Sequence, residues 1–151
     1  MNAEDVYEEL LAVLEALAEA NATVPVVVEG ERDVKSLRAL GLAGEIVPLN
    51  RGNSVFNLCE RLAEGHRAVI VLTDWDVRGG QLARLLRNGL AANGVKHDDD
   101  FRARIAALCR REVTTVEDLD RFVERIRPRG EDGRRRVRAN RAWYAGRVRR
   151  R

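Results

Sequence analysis

Three carboxylates in the chain are placed to meet around one hard divalent cation. Asp74 and Asp76 stand one residue apart in AVIVLTDWDVRGGQ (68–81), just after an uninterrupted apolar run from Ala68 to Leu72. Glu29 closes a second apolar run in TVPVVVE (23–29). Acids one residue apart on an extended chain can turn the same way, and paired oxygen donors suit one hard divalent cation. If both strands end along one sheet edge, three converging carboxylates repel one another, and a bound Mg2+ or Mn2+ relieves that repulsion. A carboxylate left partly outside the metal shell can carry a raised pKa and move a proton as general acid or base. Gly30 and the pair Gly79–Gly80 follow the acids, leaving room for backbone to approach a phosphate at the start of a helix.

The elements that must hold these residues can be read from periodicity. Val6, Leu10, Val13, Leu14 and Leu17 give an amphipathic helix over 4–19 that Asn2 can cap. A strand over 23–29 follows, with Pro25 fitting a strand start or an edge. The spacing then predicts a helix over 31–40 ended by Gly41, a short strand over 45–49, and a polar turn over 50–54. Asn53 or Ser54 caps a helix over 55–64. The opening stretch supplies a strand over 68–72 and a helix over 81–93 that Gly94 stops. Val95 can open a brief strand, or the acids at 98–100 can cap a helix over 101–110. A last short strand is expected over 112–114. A capping-box pattern at Thr114 and Glu117 starts a helix running to Ile126. Strands alternating with helices through short connections imply an α/β fold, a parallel sheet of about four strands flanked by helices.

Composition bounds the partners. The chain has 151 residues, 45% hydrophobic and 34% charged, enough for one domain with a real core. No apolar run approaches the roughly 18 residues of a membrane span, so no membrane is expected as a partner. The acidic start MNAEDVYEEL lacks the features of a signal peptide, which points to the cytoplasm. Cys59 and Cys109 lie in helical patterns and read as buried filler, while His66 and His97 lack ligand spacing. The net charge of +3 hides an asymmetry: from Arg125 onward there are twelve arginines against two acids, +10 in all, which leaves the first 124 residues at −7. Such a tail suits a polyanion. Arg134, Arg135 and Arg136 can neutralise phosphates, and Trp143 and Tyr144 can stack on bases, making nucleic acid, RNA or DNA, the expected partner.

Two stretches, VVVEGERDV (26–34) and VLTDWDVRGG (71–80), resemble the Toprim domain, and 45 residues separate Glu29 from Asp74. The similarity spans about 23–108 and looks most like the small stand-alone primase-like Toprim proteins of archaea, to which the closing VEDL (116–119) adds. The resemblance implies a Toprim-type, Rossmann-like sheet, with Glu29 as general acid/base or metal ligand and Asp74 and Asp76 as Mg2+ ligands. It also makes Arg78 phosphate-facing, although an ion pair with Glu31 or Asp33 is an equal reading of that residue. Asp33, one helical turn past Glu29, can serve as an outer ligand to the metal, but reads first as a solvated helix acid. The chain then divides into an N-terminal helix (1–22), a Toprim domain (23–108), a helical extension (109–127) and a basic, flexible tail (128–151).

The departures restrict the activity. No zinc-binding segment or second primase domain is present. A topoisomerase needs a nucleophilic tyrosine on a separate domain, and the tyrosines here are Tyr7, in a helix, and Tyr144, in the tail. A HAD-type phosphatase would want its Asp-x-Asp on the first strand and a small residue in place of Arg78. Two classes are left: a Mg2+-dependent enzyme hydrolysing or transferring at phosphodiesters, or a non-catalytic metal-binding module for nucleic-acid binding or for assembly.

Overall fold

A computed structural model describes residues 1–49 and 54–129. The elements run α1 (Ala3–Asn21), β1 (Val26–Val28), α2 (Glu31–Ala39), β2 (Ile46–Pro48), α3 (Val55–Gly65), β3 (Ala68–Val71), α4 (Val77–Ala92), β4 (Lys96–Asp98), α5 (Asp100–Cys109) and α6 (Leu119–Ile126). The four strands form one all-parallel sheet in the order β2-β1-β3-β4. The fold is therefore α/β, with helices on both faces, as the alternating pattern predicts.

Side chains alternate across each strand, so the two central strands feed two cores. Val26, Val28, Ile70 and Leu72 face one layer, built from α1, α2, α5 and α6 around Leu10, Leu14, Leu17, Leu37, Ile105 and Leu119. Val27, Val69 and Val71 face the other, where α3 and α4 supply Leu58, Cys59, Leu62, Leu86 and Leu90. Both cysteines are free and buried. Asn2 caps α1 by accepting from the Asp5 N–H at 2.9 Å. Gly41 (φ 101°) and Gly94 (φ 73°) occupy the left-handed region just past α2 and α4, where glycine costs least.

Several boundaries differ from expectation. Pro25 precedes a central strand, so it marks a strand start; Pro48 is the proline on an edge strand. The helix expected from 81 begins at Val77, because Asp76 caps it. The segment 112–114 is not a strand: its carbonyls accept from Trp75, through Thr114 O from the backbone N–H (3.0 Å) and Val113 O from Nε1 (2.6 Å). These bonds divert the backbone from the sheet ladder. The final helix starts at Leu119, after a turn in which Thr115 Oγ1 donates to Asp118 Oδ2 at 2.9 Å, and not at the expected capping box. Among the described residues no helix is long and apolar enough to cross a membrane.

Candidate functional site

The chain leaves β1 for β2 on one side and β3 for β4 on the other, with β1 and β3 adjacent in the sheet. That reversal opens a crevice beyond the carboxyl ends of β1 and β3, the usual ligand position in open parallel sheets. Glu29 follows β1 and Asp74 lies just past β3, so both reach this crevice. The Asp74 backbone N–H donates to Glu29 Oε2 at 2.8 Å. Asp74 Oδ1 in turn accepts from the Val116 N–H at 2.8 Å, so the connection before α6 forms a third wall.

Burial pushes the Asp74 carboxyl up to about 7; Glu29 and Asp76 add repulsion, while the Val116 N–H opposes the rise. Asp33 is only 6% exposed and is not the solvated acid its position suggested. Its Oδ2 accepts from the Gly30 N–H at 2.9 Å, fixing the backbone beside Glu29. Burial, then the charges of Asp74 and Glu117, push Asp33 up to about 6 against the Gly30 and Glu29 N–H groups. Five acids from three segments, Glu29, Asp33, Asp74, Asp76 and Glu117, thus act electrostatically on one another around the crevice.

Asp76 is exposed, and its Oδ1 accepts from the Gly79 N–H at 2.7 Å as the N-cap of α4. Arg78, Gly79 and Gly80 accordingly lie inside the first turns of the helix and not in a loop ahead of it. Gly79 is needed for packing: a Cβ there would sit 1.8 Å from the Asp74 carbonyl oxygen. Its own carbonyl accepts from Thr73 Oγ1 at 2.8 Å, locking the helix start to the strand end. Arg78 is exposed and pairs with neither Glu31 nor Asp33 among the described residues. Arg134, Arg135, Arg136, Trp143 and Tyr144 lie outside the described residues. Tyr7 is buried in the core, where it cannot reach a phosphodiester.

Arg102 of α5 is a residue that sequence reasoning missed. Its Nε donates to Thr73 O (3.1 Å) and its Nη2 to Asp74 O (2.8 Å), holding the turn that carries the acids. Nothing in α5 sets this arginine apart from its neighbours Arg104 and Arg110 in the sequence. Glu117 was equally silent, read only as part of a cap.

The donors fit a hard divalent cation in type, all of them carboxylate oxygen. Among the described residues, however, no three His, Cys, Asp or Glu side chains form a ready metal cluster. Glu29 and Asp74 make the close pair, and Asp76 stands beside it with one oxygen committed to its cap. Mg2+ commonly takes only one or two carboxylates and completes its shell with water and substrate phosphates, so a pair suffices for it.

No family model matches the chain. A UPF0292 protein of Methanosarcina acetivorans is 36% identical over 120 residues, covering 80% of this chain and 81% of that protein. The chain belongs to the UPF0292 family. A second UPF0292 protein, from Methanocaldococcus jannaschii, is 30% identical over 83% of this chain and 98% of its own length. One from Archaeoglobus fulgidus is 37% identical over 67% of this chain and 77% of its own. A solved structure of a protein from Aquifex aeolicus shares the fold, with a TM-score of 0.61 and 23% identity over 70% of this chain and 94% of that one. The UPF0292 name specifies no reaction.

Proposed function

We propose that this UPF0292 protein is a Toprim-like, Mg2+-dependent protein acting on nucleic acid, by phosphodiester hydrolysis or nucleotidyl transfer. The reading rests on the meeting of Glu29 and Asp74 at the strand reversal, where acids crowd a carboxyl that burial already disfavours as an anion. Glu29 and Asp74 would hold Mg2+ or Mn2+, with Asp76 adding negative charge next to them. The ion would supply Lewis-acid neutralisation of the phosphodiester. Asp74, whose carboxyl burial holds high, would have to be ionised to serve as a ligand. Glu29 keeps an oxygen beyond the one that accepts from Asp74 N, and handles the proton of the attacking or leaving oxygen. Arg78, exposed in the first turn of α4, would meet the phosphate. Asp33 and Arg102 hold the two acid-bearing turns from behind.

The test is turnover of structured RNA, single-stranded DNA and plasmid by the wild type, with Mg2+, Mn2+ or chelator, beside Asp74→Asn and Asp76→Asn. Asparagine keeps both backbone hydrogen bonds, so these variants should fold. Metal-dependent turnover lost in Asp74→Asn supports the enzyme; its absence in the wild type, or persistence in the variant, sinks it.

One observation favours a second reading. Glu29, Asp33, Asp74 and Asp76 each accept a backbone N–H, so each also ties the fold together. In that reading the acids serve metal-linked structure in a nucleic-acid-binding module. Asp74→Asn would then lose metal and keep nucleic-acid binding, with no turnover at any stage.

A further inference from the structure

Helix α4 buries one face through Gly79, Ala83, Leu86, Gly89 and Leu90, yet its opposite face is not an ordinary solvated one. Val77, Gly80, Gln81, Arg84, Leu85 and Arg87 line a shallow groove along it. Val77, Gln81 and Leu85 recur every fourth residue, so they form a single row on the helix. Val77 is 81% exposed and Leu85 54%, an apolar floor left in water. The rim is basic. Among the described residues Arg84 forms no ion pair, as with Arg78, while Arg87 lies 3.7 Å from Asp99. The groove opens at Val77, the residue after Asp76. At that end the Arg102 guanidinium underlies it, Nη2 lying 3.8 Å from where a Cβ on Gly80 would be.

We infer that this groove is the track on which a single-stranded polynucleotide docks, leading its phosphates to the carboxylate crevice. Arginine guanidinium groups meet phosphates, and apolar side chains meet the faces of bases. A duplex hides its base faces in the stack and offers phosphates and base edges instead, so an apolar floor between cations suits an unpaired strand. From Val77 to Leu85 the helix rises about 12 Å, the length of roughly three stacked nucleotides. The basic C-terminal segment supplies further charge without distinguishing strand number. The inference rests on the proposed function for what the strand is brought to, and not for where it binds.

Binding is therefore read in chelator, with the full chain and a short U-rich RNA, alone or annealed to its complement, at about 0.15 M salt. The wild type should prefer the single strand. Arg84→Glu should weaken that binding roughly tenfold and Leu85→Ala roughly threefold. Both should leave duplex binding unchanged, and Arg84→Lys should recover most of the loss. Thiouridine in the RNA should cross-link to the peptide carrying 77–87. Equal binding of single strand and duplex, unchanged affinity in both variants, or cross-links confined to 130–151 would overturn the groove. So would a dimeric wild type that Leu85→Glu splits, since a second copy would then cover this face. Missing Mg2+ turnover with these binding results intact would remove the enzyme and leave the groove.

Discussion

Asp74 is the residue on which the crevice turns, and its ionisation gives the fold a pH signature. Its carboxyl and that of Asp33 rise from 3.8 in the unfolded chain to about 7 and about 6. Between those limits the folded protein binds more protons than the unfolded one. These two groups therefore contribute stability that is full below pH 3.8 and lost as pH rises through about 6 and 7. In chelator, the melting temperature should fall from pH 5 to pH 8 through these groups, and Asp74→Asn should flatten that slope. Mg2+ binds the ionised pair, so it should raise the melting temperature at pH 8 far more than at pH 5, and leave Asp74→Asn unmoved. A wild type whose melting point ignores Mg2+ at both pH values would count against a cation at this pair.

At the scale of elements, the start of α4 decides where the acids point. Alanine normally favours a helix over glycine by about 1 kcal/mol. At Gly79 the sign should reverse: an added Cβ would collide with the Asp74 carbonyl, and the clash is with backbone. Gly79→Ala should destabilise by about 2 kcal/mol or more in denaturant unfolding and displace Asp74. Gly80→Ala, with only Arg102 at 3.8 Å, should be neutral or stabilising by up to about 1 kcal/mol. The pair separates two readings of the double glycine that sequence could not, phosphate approach and packing. Elsewhere the buried Asn21 does similar joining work, donating to Glu45 O (2.9 Å) and accepting from Gly44 N (2.8 Å), which ties the end of α1 to the approach of β2.

For the whole molecule, charge is divided between a folded body and a basic end. Deleting residues 128–151 should weaken binding to any nucleic acid and flatten its dependence on salt, because fewer counterions are released. A salt titration with unchanged slope would separate that end from binding altogether. The docking groove on α4 should survive the same deletion, since its preference comes from side chains within the described fold.

Hydrophobic patterning made much of this legible. The runs at 26–28 and 68–72 could be read as strands buried on both faces, and the acids at their ends as neighbours of one sheet edge, because period and burial are local properties. Asp33, Glu117, Arg102 and the segment 113–116 were not legible. Each acquires its role from a partner far along the chain, and a helix acid or arginine looks the same in sequence whether solvated or buried. By itself the sequence determined most of the elements and the parallel sheet, and it marked Glu29, Asp74 and Asp76 as candidates. Only the tertiary structure decided that β1 and β3 are adjacent at the reversal of strand order. That adjacency sets the Glu29 carboxylate against Asp74 N and contributes to the raised pKa of Asp74, since burial and charge depend on distance in space.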